Sequence, residues 1–158
     1  MHTTYLAILT QLNNAGARYR QFQHEPLISA WELDETLPFA LDNLLKTVAF
    51  RIKDEGLVLA GVQGFARIDY RALADVFGIN RRQLRALGPE EVVAELAMEV
   101  GGVCPLPQSE GVAVVIDAAM AGLPTVICGS GLNTVTLEVE TAALLTLSGA
   151  IVAPIARE

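Results

Sequence analysis

The chain has 158 residues, 52% of them hydrophobic and 18% charged, with a formal net charge of −7. That length suits one domain spanning 1–158 and burying roughly 70% of its unfolded surface, and the composition excludes a disordered chain. The acidic balance excludes a broad nucleic-acid surface and leaves room for a small basic patch, for which Arg81, Arg82 and Arg85 form the densest cluster.

From Thr3 to Ala15, Tyr5, Leu6, Leu9 and Leu12 share one face with Ile8 at its edge. This predicts a helix capped by Thr3 or Thr4 and stopped by Gly16. Arg18 to Gln23 reads as a short strand, broken by His24-Glu25-Pro26. Trp31 to Leu45 has a helical pattern interrupted near Pro38. Lys46 to Ile52 and Leu57 to Gln63 predict a hairpin across the polar turn 53–56. Asp69 is placed to cap a helix through Phe77, and the stretch from Asn80 to Leu87 is ambiguous. A further helix begins at Pro89, buries Val92, Val93, Leu96 and Val100, and should stop at Gly101. Gly111 to Asp117 is apolar on both faces, as in a central strand, with Asp117 a candidate cap for the turn after it. Strands at Thr125 to Cys128 and Thr134 to Val139 follow. Thr141 is expected to cap a last helix that ends at Gly149, and Ile151 to Ile155 supplies an edge strand.

Interleaved helices and strands with one hairpin predict a mixed α/β (α+β) fold. The expected form is a curved, mixed, mostly antiparallel β-sheet or partial barrel surrounded by helices. No stretch approaches the roughly 20 apolar residues of a membrane span, and Met1 to Tyr5 lacks the pattern of a signal peptide. A cytoplasmic protein with no membrane partner is the expectation.

Three features carry candidate chemistry. Lys46 opens an apolar strand, a costly position unless its head reaches water or an anion, so it either snorkels or serves as a point charge beside a phosphate or carbonyl oxygen. Its neighbour Thr47 points to the other face. Gly101-Gly102-Val103-Cys104-Pro105 is either a helix stop or a loop whose amides stabilise an oxyanion, and a larger side chain at 101 would then block the pocket without unfolding the chain. Gly129-Ser130-Gly131 lies between strands, which excludes a dinucleotide or P-loop turn, and Ser130 is a candidate donor there. One cation and two glycine turns thus suit an anionic or carbonyl-bearing ligand. A Cys104 nucleophile with His24 as base lacks a third, orienting group. Two cysteines and two histidines without zinc spacing give no reason to expect a metal or other cofactor.

In order and spacing these segments resemble the YbaK / prolyl-tRNA synthetase insertion-domain family of aminoacyl-tRNA editing proteins. The carrying residues are His24-Glu25-Pro26, Leu45-Lys46-Thr47-Val48-Ala49-Phe50, Gly101-Gly102-Val103-Cys104-Pro105, Val115-Ile116-Asp117, Gly129-Ser130-Gly131 and Leu147-Ser148-Gly149-Ala150. The resemblance implies a free-standing aminoacyl-tRNA deacylase that hydrolyses in trans the ester of a mischarged small amino acid, of the alanine or cysteine class, with tRNA-Pro a candidate carrier. It implies Lys46 and Gly101 in the catalytic site. It also implies Phe22, Trp31, Gly102, Val103, Ser130, Gly131 and Thr136 around the substrate. The attacking water would be assisted by the ribose hydroxyl of the substrate, which accords with the absence of a recognisable triad. The implied partners are the acceptor end of a mischarged tRNA and an aminoacyl-tRNA synthetase, with no DNA and a monomer favoured. Many relatives carry basic residues at Leu132-Asn133-Thr134 and an aspartate at Ala143. The alternative reading is a non-catalytic tRNA- or protein-binding module of the same fold.

Overall fold

The computed structural model describes residues 1–28, 33 and 36–157. Helix α1 (His2–Asn14) buries Thr4, Tyr5, Ile8 and Leu12. Leu6 is half exposed, contrary to expectation, and Ile8 is fully buried. A helical step of about 100° turns residue 6 away from the line through residues 5, 8 and 12. Neither threonine caps the helix, whose cap position is Met1. Strand β1 (Tyr19–Gln23) follows. The helical expectation for 31–45 fails in its described part: residues 36–44 form turns and bends. Phe39 and Leu44 there pack on Ile127 as a small separate core.

Strands β2 (Leu45–Ile52) and β3 (Leu57–Gln63) form the expected hairpin. Strand β4 (Arg67–Ile68) leads to α2 (Tyr70–Val76), whose first turn is capped by Asp69, the carboxylate accepting from the Ala72 amide at 3.1 Å. The ambiguous stretch is a 3-10 turn (Arg81–Gln83) and a short strand, β5 (Leu84–Ala86). Helix α3 (Pro89–Leu96) stops earlier than Gly101, because Ala97 turns left-handed at φ 54° and its amide returns to the Val93 carbonyl at 3.0 Å. Val93 lies inside the helix but about 100° round from the buried Val92, and it is exposed. Then come β6 (Val112–Asp117), α4 (Ala118–Ala121), β7 (Thr125–Gly129) and β8 (Val135–Glu140). Helix α5 (Thr141–Ser148), β9 (Ile151–Ala153) and β10 (Ala156–Arg157) complete the order. Thr141 is not the cap of α5: Glu140 holds that position, and the buried Thr141 hydroxyl has no partner.

Five strands form a mixed sheet in the order β5-β2-β3-β6-β9. Its β2 ladders are antiparallel and its β6 ladders parallel. An antiparallel sheet, β1-β8-β7, and the pair β10-β4 accompany it. The two larger sheets meet where the chain enters β2: Leu44 bridges to Ile127, and the Ile127 amide donates to the Asn43 carbonyl at 3.0 Å. The result is the expected mixed α/β, mostly antiparallel arrangement. The largest core joins Leu45, Leu59 and Ile116 to Leu137 and Val139, with Ile8 and Leu144 from α1 and α5. The other face of the five-stranded sheet packs Phe50, Val58, Val62 and Val115 against Leu73 and Ile155. Asp117 ties the chain end to that sheet. One oxygen accepts from the Ile155 and Ala156 amides at 2.9 and 3.1 Å, the other from Ala119 at 3.2 Å, as expected for a cap.

Candidate functional site

A cavity of about 370 Å³ opens where the start of β2, the end of β7, Thr136 of β8 and the loop after α3 converge. Its walls are mostly apolar, with Leu45, Val48, Val92 and Val100 among them, and Lys46, Thr47 and Thr136 are the polar residues on its border. Three backbone segments interlock to build it. The Leu27 amide donates to the Asn133 carbonyl at 2.9 Å, Gly131 donates to Gly102 at 2.7 Å, and Glu99 donates to Gly131 at 2.9 Å. The Glu99 carboxylate accepts from the Asn133 amide at 2.9 Å.

Glycine is required where these segments touch. A Cβ on Gly101 would lie 1.7 Å from the Leu27 carbonyl oxygen, and φ there is +87°. On Gly102 it would lie 2.4 Å from Leu132, and on Gly129, 2.3 Å from the Val103 carbonyl oxygen. These are backbone contacts that cannot yield as a flexible side chain would. The expectation that a larger residue at 101 would simply fill the pocket is therefore corrected, since its Cβ is aimed at the neighbouring chain. Among the described residues, the amides of Gly101 and Val103 donate to no protein acceptor, and both residues line the cavity. They are candidates for an oxyanion or carbonyl.

Lys46 lines the same cavity, but its ammonium donates to the Ala66 carbonyl at 2.7 Å. Burial, and secondarily Arg67, pull its pKa below the ordinary lysine value. The same side chain reaches a second hollow of about 570 Å³ bounded by Arg67, Arg71, Arg81 and Arg157. None of these four arginines forms an ion pair with a described carboxylate. Of the cluster read from sequence, only Arg81 lines this hollow. Arg85 is bound to Glu91 at 2.7 and 2.8 Å.

The structure brings Lys46, Gly101, Val103 and Thr136 to one cavity, and the other expected residues that it describes lie elsewhere. Ser130 is fully buried, its hydroxyl donating to the Val135 carbonyl at 2.6 Å, so it is spent inside its turn and is no donor to a ligand. Gly131 faces α1, near Tyr5 and Ile8, away from the cavity. Gly102 packs against Leu132. Phe22 stacks with Phe39, their centroids 5.8 Å apart, in the small core beside the site. Trp31 lies outside the described residues. Cys104 is buried against Cys128, whose thiol is pushed up by the Cys104 contact and by burial, the reverse of what a nucleophile needs. His24 bonds Thr136, not Cys104.

Two further residues, both named in the sequence reading, have surroundings that it did not foresee. The Thr47 hydroxyl is buried without a partner on the cavity wall. His24 reaches the site through Thr136, with Nε2 at 2.7 Å from the hydroxyl. For Thr47 the signal was strand alternation, which set it opposite Lys46. Nothing local marked the His24 contact.

A family model described as the aminoacyl-tRNA editing domain matches residues 24–147. The chain belongs to the aminoacyl-tRNA editing domain family. Over 98 residues it is 32% identical to the uncharacterized protein YwhH of Bacillus subtilis (strain 168), a match covering 61% of this chain and 60% of that protein's length. The fold is shared with the hypothetical protein APE2540, at a TM-score of 0.83 and 21% identity over 95% of this chain and 99% of that one. It is shared too with a protein proposed to be a trans-editing enzyme for prolyl tRNA synthetase, at 0.79 and 22% over 98% of each chain. No helix among the described residues is long and apolar enough to cross a membrane.

Proposed function

We propose that this chain is a free-standing deacylase that hydrolyses, in trans, the ester joining a mischarged small amino acid to its tRNA. The observation that carries this reading is the cavity itself: the amides of Gly101 and Val103, which have no acceptor among the described residues, lie with Thr136 on the wall of one small apolar hollow in an editing-domain chain, and Lys46 borders it. Water adds to the ester carbonyl, charge grows on the carbonyl oxygen, and amides set in advance lower that barrier. The acyl–oxygen bond then breaks, releasing the free amino acid and the tRNA hydroxyl. No carboxylate or imidazole is among the cavity-lining residues described, so the base in this reading is a hydroxyl of the substrate's terminal ribose. A 370 Å³ space with apolar walls has room for a small aminoacyl group together with part of the ribose that carries it. Such a pocket separates neighbours in size by about 1–3 kcal/mol per methylene.

The basic hollow adjoining Lys46 supports docking of the acceptor-end phosphates, because four arginines without described acidic partners on a chain of net charge −7 suit an anionic ligand. The lack of a described base on the cavity wall favours, as a second reading, a module that binds tRNA or a protein without cleaving. Single-turnover deacylation of alanyl, cysteinyl, seryl and threonyl charges on several tRNAs, tRNA-Pro included, separates the two. The expected result is release of a small amino acid by the wild type and a loss of about 100-fold in Lys46→Ala with unchanged circular dichroism. Binding without hydrolysis of any substrate would overturn the enzymatic reading.

A further inference from the structure

We infer that His24 is a positioning residue that turns Thr136 into a hydrogen-bond acceptor for the α-ammonium group of the aminoacyl ligand; this rests on the editing reading. The argument runs along a chain of hydrogen bonds. His24 Nδ1 lies 2.8 Å from the Glu25 carbonyl oxygen, which can only accept. Nδ1 therefore carries the hydrogen, the tautomer following from its partner. In the neutral imidazole with that tautomer Nε2 has only a lone pair, so the Thr136 hydroxyl, 2.7 Å away, donates to it. A threonine hydroxyl has one hydrogen. Once that hydrogen is committed to His24, Thr136 offers the cavity lone pairs alone.

The ring is held in place to do this. Its own backbone amide donates to the Thr134 carbonyl at 3.0 Å, and Phe39 meets it edge-on at 5.7 Å. Thr136 is 7% exposed and lines the cavity. Its cross-strand partner is Gly129, the residue against which Gly102 and Val103 pack. An acceptor-only hydroxyl thus stands near the donor-only amides of the 101–103 loop. An aminoacyl ester presents the complementary pair, an ammonium that only donates on the carbon next to a carbonyl that only accepts. Thr47 lines the same cavity, but its hydroxyl is buried without a partner among the described groups and does not select between them.

The test uses two unreactive adenosines, 3′-alanylamino-3′-deoxyadenosine and its counterpart lacking the amine, 3′-propionylamino-3′-deoxyadenosine, titrated into the whole chain by calorimetry. The wild type should bind the alanyl compound about tenfold more tightly. His24→Ala and Thr136→Val should lower its affinity to that of the propionyl compound. His24→Gln, whose amide oxygen can accept from Thr136, and Thr136→Ser should restore the preference. In deacylation, His24→Ala should raise KM for an aminoacyl-tRNA more than it lowers kcat. Equal affinities in the wild type, or a preference that survives in folded His24→Ala, would overturn the inference, and so would binding of neither compound. A wild type that shows the preference yet hydrolyses no mischarged tRNA would sink the editing reading alone. Equal affinities beside active hydrolysis would sink this inference alone.

Discussion

Lys46 and Thr47 are neighbours in the chain that leave β2 on opposite faces. The ammonium meets the Ala66 carbonyl at 2.7 Å, whereas Thr47 lines the cavity, its hydroxyl buried and bonded to no described group. A buried hydroxyl without a partner costs about 1–3 kcal/mol in desolvation. Thr47→Val keeps the shape and removes that cost, so we expect it to stabilise the chain by about 1 kcal/mol in urea unfolding while weakening ligand binding. Thr47→Ser should keep the binding. A less stable Thr47→Val protein would show that the hydroxyl is satisfied in the folded state.

Gly101 and Gly78 share a left-handed backbone, at φ +87° and +64°, but only Gly101 has a neighbour in the way. Gly78→Ala should cost about 1 kcal/mol, the penalty of the conformation alone. Gly101→Ala adds a collision with the Leu27 carbonyl and should cost at least about 2–3 kcal/mol or displace the 27–28 segment. Equal chemical-denaturation midpoints for the two variants would refute the interlocked geometry.

Asp117 joins β6, α4 and the chain end through three amides. Asp117→Ala strands those donors in a buried setting and should cost about 3 kcal/mol, whereas Asp117→Asn keeps one acceptor and should cost less. Hydrogen exchange of the Ile155 and Ala156 amides is the direct readout and should accelerate in Asp117→Ala.

Glu91 holds the start of α3, whose Val92 lines the cavity. Its carboxyl is lowered from 4.5 to about 2, first by hydrogen bonds from Arg85 and then by the Gly88 amide. A folded-state value below the unfolded one means the contribution is present above 4.5 and fades as pH falls towards 2. The difference in Tm between wild type and Glu91→Gln should be flat above about pH 5 and should shrink steadily in more acidic buffer. A difference that is constant with pH would remove the charge from the account.

Local pattern was enough to specify most of the strands, the β2–β3 hairpin, the Asp69 and Asp117 caps and the mixed α/β class. Each depends on alternation or on a capping residue acting within a few positions of itself. Local pattern singled out Lys46 and Gly101, the family resemblance implied Val103 and Thr136, and all four line one cavity. Local pattern misjudged what depends on distant atoms. Gly101 looked like a space for ligand and proved to be a seat for the Leu27 carbonyl. Ser130 looked like a free donor and is consumed by Val135. The end of α3 was set by the left-handed turn at Ala97, not by the next glycine. Tertiary structure alone decided that His24 meets Thr136 across 112 positions and that the Thr47 hydroxyl goes unpaired. A residue's type and its neighbours fix its local conformation. Which polar groups find partners is fixed only when segments far apart in the chain pack together and exclude water from between them.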